Sequence, residues 1–458
     1  MKNLVEFISS VNAAVNGFVW GPVMLTLLIG TGLYLSFRTN FLQFRKFAYA
    51  ISHTIGNIFS EKQHNKDNSG VSSFQAVATA MAGTIGTGSI AGIATAIVSG
   101  GPGAVFWMWV SALLGMITKY SEIVLSLKYR EKNEEGQWVG GPMYYIKNGL
   151  GLKWLAALFA VFAMLACLGT GNATQSNSIS IALESTLGIS PWVSGIVLTV
   201  IVAAVILGGM RRISSVNEKL VPFMAVFFVL GAVVALVLNI GKVPAAFALI
   251  FREAFNFKAA AGGAAGYGIM TAMHYGFARG VFSNEAGLGS APIAHAASST
   301  QNPVDQGLWG MFEVFFTTII ICTLSALVIL TTDFWSAGEF QGAALSIAAF
   351  NSIMPGIGGI IVTLATIFFA SSTILGWAYY GEVSVEYLFK SKKAVWVYRV
   401  IYVGVVLLGA VGNLDLIWSI SETMNGFMAI PNLIGIIGLY KVICVLTGEY
   451  FGGKHHSS

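Results

Sequence analysis

A stretch of small and hydroxyl-bearing residues within an apolar segment could hold a charged ligand inside a membrane. Residues 83–92 contain glycines at positions 83, 86 and 88, together with Thr84, Thr87 and Ser89. Glycine lets a helix open, and an open helix frees backbone N–H and C=O groups that need partners. The N-terminal end of a half-helix attracts a carboxylate, whereas a C-terminal end and loose carbonyls bind a cation such as sodium. A helix-packing face of small residues is the alternative interpretation.

A second apolar segment, residues 274–287, is interrupted by polar side chains that are too costly to expose to lipid. They are His274, Arg279, Asn284 and Glu285. One interpretation is a structural ion pair between the arginine and the glutamate. The other is that the helix opens at Gly276, Phe277 and Ala278 and offers carbonyl groups to a substrate ammonium.

Two further apolar segments carry side chains that suit an amino acid or a sodium ion. Gln175 can donate and accept, so it can hold a carboxylate or an ammonium, and hydrogen bonding between helices explains it equally well. Ser371, Ser372 and Thr373 supply neutral oxygens of the kind that sodium requires, unless they bond back to their own helix. Trp377 follows one turn later and either limits the size of a pocket or faces lipid.

Other charged residues of the apolar segments have spacings that suggest structural roles. Lys119 and Glu122 stand at i, i+3 spacing on one predicted helix, which predicts that they neutralise each other. Glu382 and Glu386 lie near the end of a predicted helix and are expected to be solvated. Glu422 interrupts the last apolar segment and is a candidate for a gate.

The composition excludes a water-soluble globular protein. Of the 458 residues, 55% are hydrophobic and 10% charged, where about 25% charged is usual, and the mean hydropathy is +0.74. A lipid bilayer is therefore the expected surrounding. The lysines and arginines are spread along the chain, so no nucleic-acid partner is expected. The sequence has no hydrolytic triad, metal motif or phosphate-binding glycine loop, so neither an enzyme nor an organic cofactor is expected.

Apolar stretches of about 20 residues predict an all-α polytopic membrane protein with about 11 transmembrane helices. The predicted spans are 17–37, 74–99, 103–127, 154–183, 191–209, 220–240, 260–284, 307–331, 357–386, 395–412 and 416–447. The two interrupted segments fall in the second and seventh spans. Because they are five spans apart, they enter the membrane from opposite sides, which favours two inverted repeats of five helices.

This arrangement divides the chain into five parts. Residues 1–72 would hold one extra helix with a cytoplasmic amphipathic segment and loop. The two repeats would occupy residues 73–240 and 259–448, joined by an external connector at 241–258. Residues 449–458 would form a cytoplasmic tail whose last residues are either native or added.

The distribution of basic residues predicts the orientation, because cytoplasmic loops carry the excess of lysine and arginine. With the N-terminus outside and the C-terminus inside, 18 of the 25 lie on the cytoplasmic side. The four external residues are Lys2, Lys242, Arg252 and Lys258, and the three within spans are Lys119, Arg279 and Lys441. A multi-pass protein of the cell membrane is therefore expected.

The stretch from Gly100 to Trp109 reads Gly-Gly-Pro-Gly-Ala-Val-Phe-Trp-Met-Trp. It resembles the Gly-Gly-x-Gly-Ala-x-Phe-Trp-Met-Trp signature of the alanine or glycine:cation symporter family. Residues 84–88, 140–144 and 282–289 are similar to the same family, and the resemblance covers nearly the whole chain.

The resemblance implies a leucine-transporter-like fold of ten core helices, here preceded by one more, that couples inward sodium flow to uptake of alanine or glycine. It maps the break of the first core helix onto residues 82–89, the sixth core helix onto 275–280 and the eighth onto 371–373. One departure is Ser89, where many relatives have asparagine after Gly-Thr-Gly. The shorter side chain puts in doubt any ligand contact that the asparagine makes.

Residues and resemblance together predict a sodium-coupled symporter of small neutral amino acids that works by alternating access. The predicted substrate contacts are Thr84, Ile85, Gly86, Thr87, Gly88, Gln175, Gly276, Phe277, Ala278 and Trp377. The predicted sodium contacts are Ala82, Ile85, Ser371, Ser372 and Thr373. Proton coupling through Glu285 is the first alternative, and an uncoupled channel or amino-acid receptor is the second.

Overall fold

The computed structural model describes residues 2–60, 70–256, 265–412 and 415–452, and these are folded almost entirely into helices. The helices of the first part of the chain are α1 Lys2–Val19, α2 Pro22–Arg38, α3 Leu42–Arg45, α4 Phe47–Ser60, α5 Ser73–Thr84, α6 Ala91–Gly100, α7 Ala104–Lys128, α8 Pro142–Leu150, α9 Lys153–Leu168, α10 Thr174–Leu187, α11 Pro191–Ile206, α12 Gly209–Leu238 and α13 Val243–Ala254. A short antiparallel hairpin of β1 Glu131–Lys132 and β2 Trp138–Val139 lies between α7 and α8.

The second part of the chain is also folded into helices of very different lengths. They are α14 Ala265–Asn284, α15 Ala291–Ala296, α16 Pro303–Val314, α17 Thr323–Leu330, α18 Phe334–Ala337, α19 Gly342–Ile353, α20 Gly358–Phe389, α21 Lys392–Val411, α22 Asp415–Gly438 and α23 Tyr440–Phe451. Wider π-helical turns join α9 to α10 at Gly169–Ala173 and α16 to α17 at Phe315–Cys322.

By length and composition, seven of the described helical segments can cross a membrane, or eight if the bent pair Ser419–Gly438 and Tyr440–Phe451 counts as one span. That pair bends by 59°, so the last predicted span is not straight. The predicted second span appears as the two short helices α5 and α6, which are each too short to cross alone. The predicted seventh span begins outside the described residues. The total of eleven, and the division into domains, therefore stay predictions.

Two broken helices lie side by side at the centre of the fold. The first is α5 followed by α6, and the second is α14 followed by α15. A Cβ added at Gly100, the last residue of α6, would lie 2.8 Å from the Cβ of Tyr275 in α14. At the other end, the N–H of Val71 donates to the Ala297 carbonyl at 3.0 Å, and the N–H of Ser299 donates back to Val71 at 2.8 Å. The two broken helices thus run in opposite directions.

The sequence defines the first break clearly. Ser72 caps α5 because its hydroxyl accepts from the N–H of Gln75, while the Gln75 side chain accepts from the N–H of Ser72, both at 3.1 Å. The helix ends at Thr84, and Gly86 is extended, with φ −112° and ψ −160°. A short 3₁₀ turn, Thr87–Ser89, leads into α6.

The second helix breaks later than the sequence suggested. The expected opening at Gly276, Phe277 and Ala278 is wrong, because α14 continues unbroken to Asn284. A Cβ at Gly276 would lie 2.5 Å from the carbonyl oxygen of Ala104, so this glycine permits close packing against α7. The break follows at 285–290, where Glu285, Gly287 and Gly289 have positive φ angles of 55°, 90° and 80°.

Helices α7, α16 and α20 surround the two breaks. Helix α7 packs against α14 and α16, and α20 packs against α5, α9 and α12. Helix α9 contacts both α20 and α22, and α10 contacts α20. The backbone ends that the breaks expose are therefore enclosed by protein.

Candidate functional site

A small cavity lies where the two broken helices meet α9, α10, α20 and α22. Its lining residues are Gly83, Thr84, Gly86, Gly88, Thr170, Gln175, Phe282, Glu285, Leu288, Thr373, Trp377 and Asn425. Its volume is about 10 Å³. That space holds roughly one water molecule, so an amino acid enters only if the surrounding helices separate.

The first break presents backbone N–H groups to this cavity. The N–H of Thr87 donates to Oε1 of Gln175 at 3.3 Å, and the Gln175 Nε2 donates to the Thr170 carbonyl at 3.1 Å. The Gln175 side chain thus stands over the start of the 3₁₀ turn that leads into α6. A carboxylate could replace its oxygen there, because the N-terminal end of a helix favours negative charge.

The second break brings an acidic side chain to the same cavity. Oε1 of Glu285 accepts from Nε1 of Trp377 at 3.0 Å, and Oε2 accepts from the Ser290 hydroxyl at 2.5 Å. Trp377 Nε1 also lies 3.4 Å from the Gly83 carbonyl oxygen. The tryptophan therefore spans from one break to the other and closes one side of the cavity.

Hydroxyl groups of α20 reach the carbonyl end of α5. The Thr373 hydroxyl lies 2.9 Å from the Ala82 carbonyl oxygen, and the Ser372 hydroxyl lies 3.4 Å from it. Both hydroxyls also lie within hydrogen-bond distance of the Phe369 carbonyl in their own helix. Neutral hydroxyl and carbonyl oxygens are ligands that suit a sodium ion, and this group lies beside the cavity.

A buried cluster of charged side chains contacts both broken helices next to their breaks. Nζ of Lys119 lies 3.0 Å from Oε1 of Glu313 and donates to the Asn284 carbonyl at 2.8 Å, with Lys119 and Glu313 fully buried. The Thr84 hydroxyl lies 2.5 Å from the same Glu313 oxygen. Nε2 of His295 lies 3.2 Å from the other oxygen of that carboxylate. One carboxylate thus joins both broken helices to α7 and α16.

Two ion pairs expected from the sequence do not form. Lys119 does not pair with Glu122: it faces Glu313, because α16 and the end of α14 lie on that side of α7. Glu122 instead accepts from the N–H of Gly287 at 3.0 Å. Arg279 does not pair with Glu285 either: Arg279 faces Glu422, whereas the Glu285 carboxylate accepts from Trp377 and Ser290.

The guanidinium of Arg279 pairs with Glu422 at 3.1 Å, on the side of the cavity away from the hairpin. The two side chains are 25% and 32% exposed, so this pair lies between the cavity and the surface. The pair joins α14 to α22, and it contains Glu422, the residue that the sequence suggests as a gate. Its role as a gate stays a prediction.

A larger charged cavity of about 870 Å³ opens on the hairpin side. Its acidic and basic lining includes Glu131, Glu135, Lys147, Glu382, Glu386, Lys392 and Arg399. Glu382 is not solvated as expected, because Arg399 holds it with two hydrogen bonds of 2.8 and 2.7 Å. Partial burial raises the pKa of the Glu131 carboxyl, but hydrogen bonds from Lys147 and Asn148 lower it further, so the net shift is downward.

Some of the predicted substrate and sodium contacts line the small cavity, and others lie outside it. Those in its lining are Thr84, Gly86, Gly88, Gln175, Thr373 and Trp377. Ala82 and Ser372 lie just beside it, through the contacts of the Ala82 carbonyl. Those outside its lining are Ile85, Thr87, Gly276, Phe277, Ala278 and Ser371, of which Ser371 is only half-buried. As functional residues, all of them remain predictions.

Five lining residues were not predicted as ligand contacts, although Gly83 was named for the helix opening. They are Gly83, Thr170, Phe282, Leu288 and Asn425. Thr170 marks the π-helical turn in the fourth predicted span, where Gly-Thr-Gly-Asn was the available signal. Glu285 was considered only for an ion pair or for proton transfer, although its place in the motif before Gly287 and Gly289 could have indicated the break.

Comparison with known proteins decides the family. The model of the sodium:alanine symporter family matches residues 5–457. The chain is 48% identical to the sodium/alanine symporter AgcS of Methanococcus maripaludis over 97% of this chain and 98% of that protein. The chain belongs to the sodium:alanine symporter family. It is a multi-pass membrane protein and a transporter, not an enzyme.

The fold of this sodium:alanine symporter family member is that of the leucine-transporter-like proteins. A sodium-coupled sialic acid symporter in its substrate-bound outward-open state superposes with a TM-score of 0.58, covering 91% of this chain and 87% of that one at 14% identity. MhsT in complex with L-phenylalanine gives 0.56, covering 84% and 99% at 13% identity. The expected fold class is thereby confirmed, although the helix count is not.

Proposed function

We propose that this protein couples inward sodium flow to the uptake of small neutral amino acids, with alanine and glycine as substrates, by alternating access. One observation carries the proposal: the exposed ends of two antiparallel broken helices line one cavity, and a group of neutral oxygens lies beside it. Family membership and the name of the sodium/alanine symporter relative support sodium and alanine, and glycine is added because it is the smaller amino acid of the same class.

The carboxylate of the amino acid would bind the N–H groups between Gly86 and Gly88, in place of the Gln175 oxygen that now faces Thr87. Its ammonium would face the end of α14, where the last carbonyls carry partial negative charge. Trp377, Phe282 and Leu288 leave little room, which favours a side chain of a methyl group or a hydrogen.

Sodium would bind at the Ala82 carbonyl with the hydroxyls of Ser372 and Thr373. These oxygens belong to α5 and α20, so a bound ion would hold the two helices together. Because α5 also carries the start of the amino-acid site, filling the sodium site would order that site and strengthen substrate binding. This dependence is what couples the two flows.

Alternating access requires the cavity to open to one side at a time. The Arg279–Glu422 pair would close it on one side, and the hairpin with its ion pairs, such as Lys392 with Glu135 at 3.0 Å, would close it on the other. We place the hairpin side in the cytoplasm and the N-terminus outside, in the cell membrane, since the basic residues are concentrated in the loops on the hairpin side.

Uptake of radiolabelled alanine into proteoliposomes tests the proposal. An inward sodium gradient should drive accumulation above the outside concentration, and unlabelled glycine should compete. An equal inward proton gradient without sodium should not drive it. Accumulation with protons alone would establish the proton-coupled alternative, whereas equilibration without accumulation would establish a channel and refute symport.

A further inference from the structure

The carboxylate of Glu285 occupies an unusual position in the described part of the chain. Its residue has a φ of 55°, a conformation that costs a residue with a side chain roughly 1 kcal/mol or more. The side chain is 2% exposed and lines the small cavity. The backbone thus accepts strain and thereby places an acidic group at the second break.

The contacts of this carboxylate supply hydrogen bonds but not a counter-charge. The Trp377 indole N–H and the Ser290 hydroxyl donate to its two oxygens, and both donors are neutral. Within the described residues, no lysine or arginine nitrogen lies within 4.0 Å of it. A buried carboxylate without a cationic partner costs several kcal/mol, so the site is incomplete as it stands.

The neighbouring charged groups are committed elsewhere. Lys119 binds Glu313 and the Asn284 carbonyl. His295 faces Glu313 with Nε2 and accepts from Gln306 at Nδ1, at 2.9 Å. Glu122 on α7 adds another buried carboxylate, which faces Gly287. Among the described side chains, the surroundings of the second break therefore hold three carboxyl groups and a single lysine ammonium, which Glu313 already binds.

We infer that Glu285 is the residue that binds the ammonium group of the transported amino acid. The inference rests on the proposed function, which names no side chain as the partner of the substrate ammonium. The N–H groups between Gly86 and Gly88 offer positive polarity on one side of the cavity, and Glu285 offers negative charge on the other. A zwitterion complements both, and only its ammonium supplies the counter-charge that the buried carboxylate lacks.

Trp377 and Ser290 act here as positioning residues. Their donors fix the two carboxylate oxygens and leave remaining lone pairs for the ammonium. The same arrangement selects against ligands that carry a hydroxyl where alanine carries an ammonium, because a neutral group leaves the charge uncompensated.

The experiment measures sodium-driven uptake of radiolabelled alanine by the full-length protein in proteoliposomes, for the wild type, Glu285→Gln and Glu285→Asp. Glu184→Gln, which removes an exposed carboxylate far from the cavity along α10, is the matched control. Inhibition by lactate, which has a hydroxyl in place of the ammonium of alanine, is measured for each variant. Thermal unfolding in detergent checks that each variant is folded.

We expect Glu285→Gln to raise the KM for alanine at least about 30-fold while the sodium concentration at half-maximal rate changes less than about twofold. The wild type should prefer alanine over lactate by at least about 100-fold, and Glu285→Gln should reduce that preference at least about tenfold. Glu285→Asp, which keeps the charge, should retain the preference even if its KM rises. Glu184→Gln should match the wild type.

Two results would overturn the inference while leaving symport intact: an unchanged KM and preference in Glu285→Gln, or a selective rise in the sodium requirement of that variant. The second result would make Glu285 a sodium ligand. If Glu285→Gln is unfolded, Glu285→Asp decides the question. A preference for alanine over lactate that falls at least about tenfold in this variant, although its charge is kept, would overturn the inference. Absence of alanine uptake by the wild type would refute the proposed function itself, and this inference with it.

Discussion

The ammonium of Lys119 on α7 lies 3.0 Å from Oε1 of Glu313 on α16, and both side chains are fully buried beside the two broken helices. The same Glu313 oxygen contacts the Thr84 hydroxyl, and the same ammonium binds the Asn284 carbonyl. One ion pair therefore fixes the last residue of α5 and the last residue of α14. Its loss should affect folding and the site together.

Lys119→Met should lower the free energy of unfolding by about 3–5 kcal/mol, because it leaves the Glu313 carboxylate buried without its partner. Thermal unfolding in detergent measures the change. The double variant Lys119→Met/Glu313→Gln should recover at least about half of the loss, since the unpaired charge is gone. Lys153→Met, at an exposed position, is the control. Equal stability of the single variant and the wild type would show that the pair is unimportant.

Gly86→Ala should reduce sodium-driven alanine uptake by about 5- to 150-fold, because overpacking at this point costs about 1–3 kcal/mol. The added Cβ would lie 2.6 Å from the Thr373 hydroxyl oxygen and 3.3 Å from Gln175 Oε1. Gly92→Ala is the matched control, since its Cβ meets nothing within 4 Å. Normal uptake by Gly86→Ala would mean that the first break moves away from α20 during transport.

Thr373→Val should raise the sodium concentration at half-maximal uptake by about tenfold, with a smaller effect on the maximal rate. The substitution preserves shape but removes the hydroxyl that lies 2.9 Å from the Ala82 carbonyl. Thr366→Val on the same helix is the control, because its hydroxyl donates to Val362 within the helix. If both variants show the same sodium dependence, the sodium site lies elsewhere.

Arg279→Gln should open the cavity on the side away from the hairpin. The readout is labelling of a cysteine at the cavity position 425, introduced as Asn425→Cys with Cys444→Ser to remove the partly exposed native thiol. The labelling rate by a water-soluble reagent should rise by up to about fivefold, since a partly exposed ion pair contributes up to about 1 kcal/mol. The exchange Arg279→Glu/Glu422→Arg should restore the slow rate, and failure to do so would count against a gate.

The sequence predicted the parts of the fold that follow from hydrophobicity and glycine. The bilayer environment, the opening of the first broken helix and the pairing of two interrupted spans all depend on local composition. Gly276 shows the limit of this reasoning, since a glycine that permits close packing and one that opens a helix have the same sequence signal. Only the neighbouring Ala104 carbonyl distinguishes them.

The contacts of charged residues were less predictable, and for a related reason. Lys119 and Glu122 are well spaced for a pair along one helix, but a buried side chain bonds to whatever groups the packing brings near it. Glu313, from a helix almost two hundred residues away along the chain, supplies that partner. The sequence did not single out Glu313, because nothing local marks it as a member of the cluster.

The main-chain hydrogen bonds between Val71 and residues 297 and 299 have a mechanical consequence. The start of α5 is hydrogen-bonded to the chain just after α15. Neither helix can therefore move away alone without leaving backbone N–H and C=O groups unpaired. Opening on the hairpin side should therefore move α5 and α15 together. A reagent that separates Val71 from Ser298 should let α5 and α15 move independently and should slow transport.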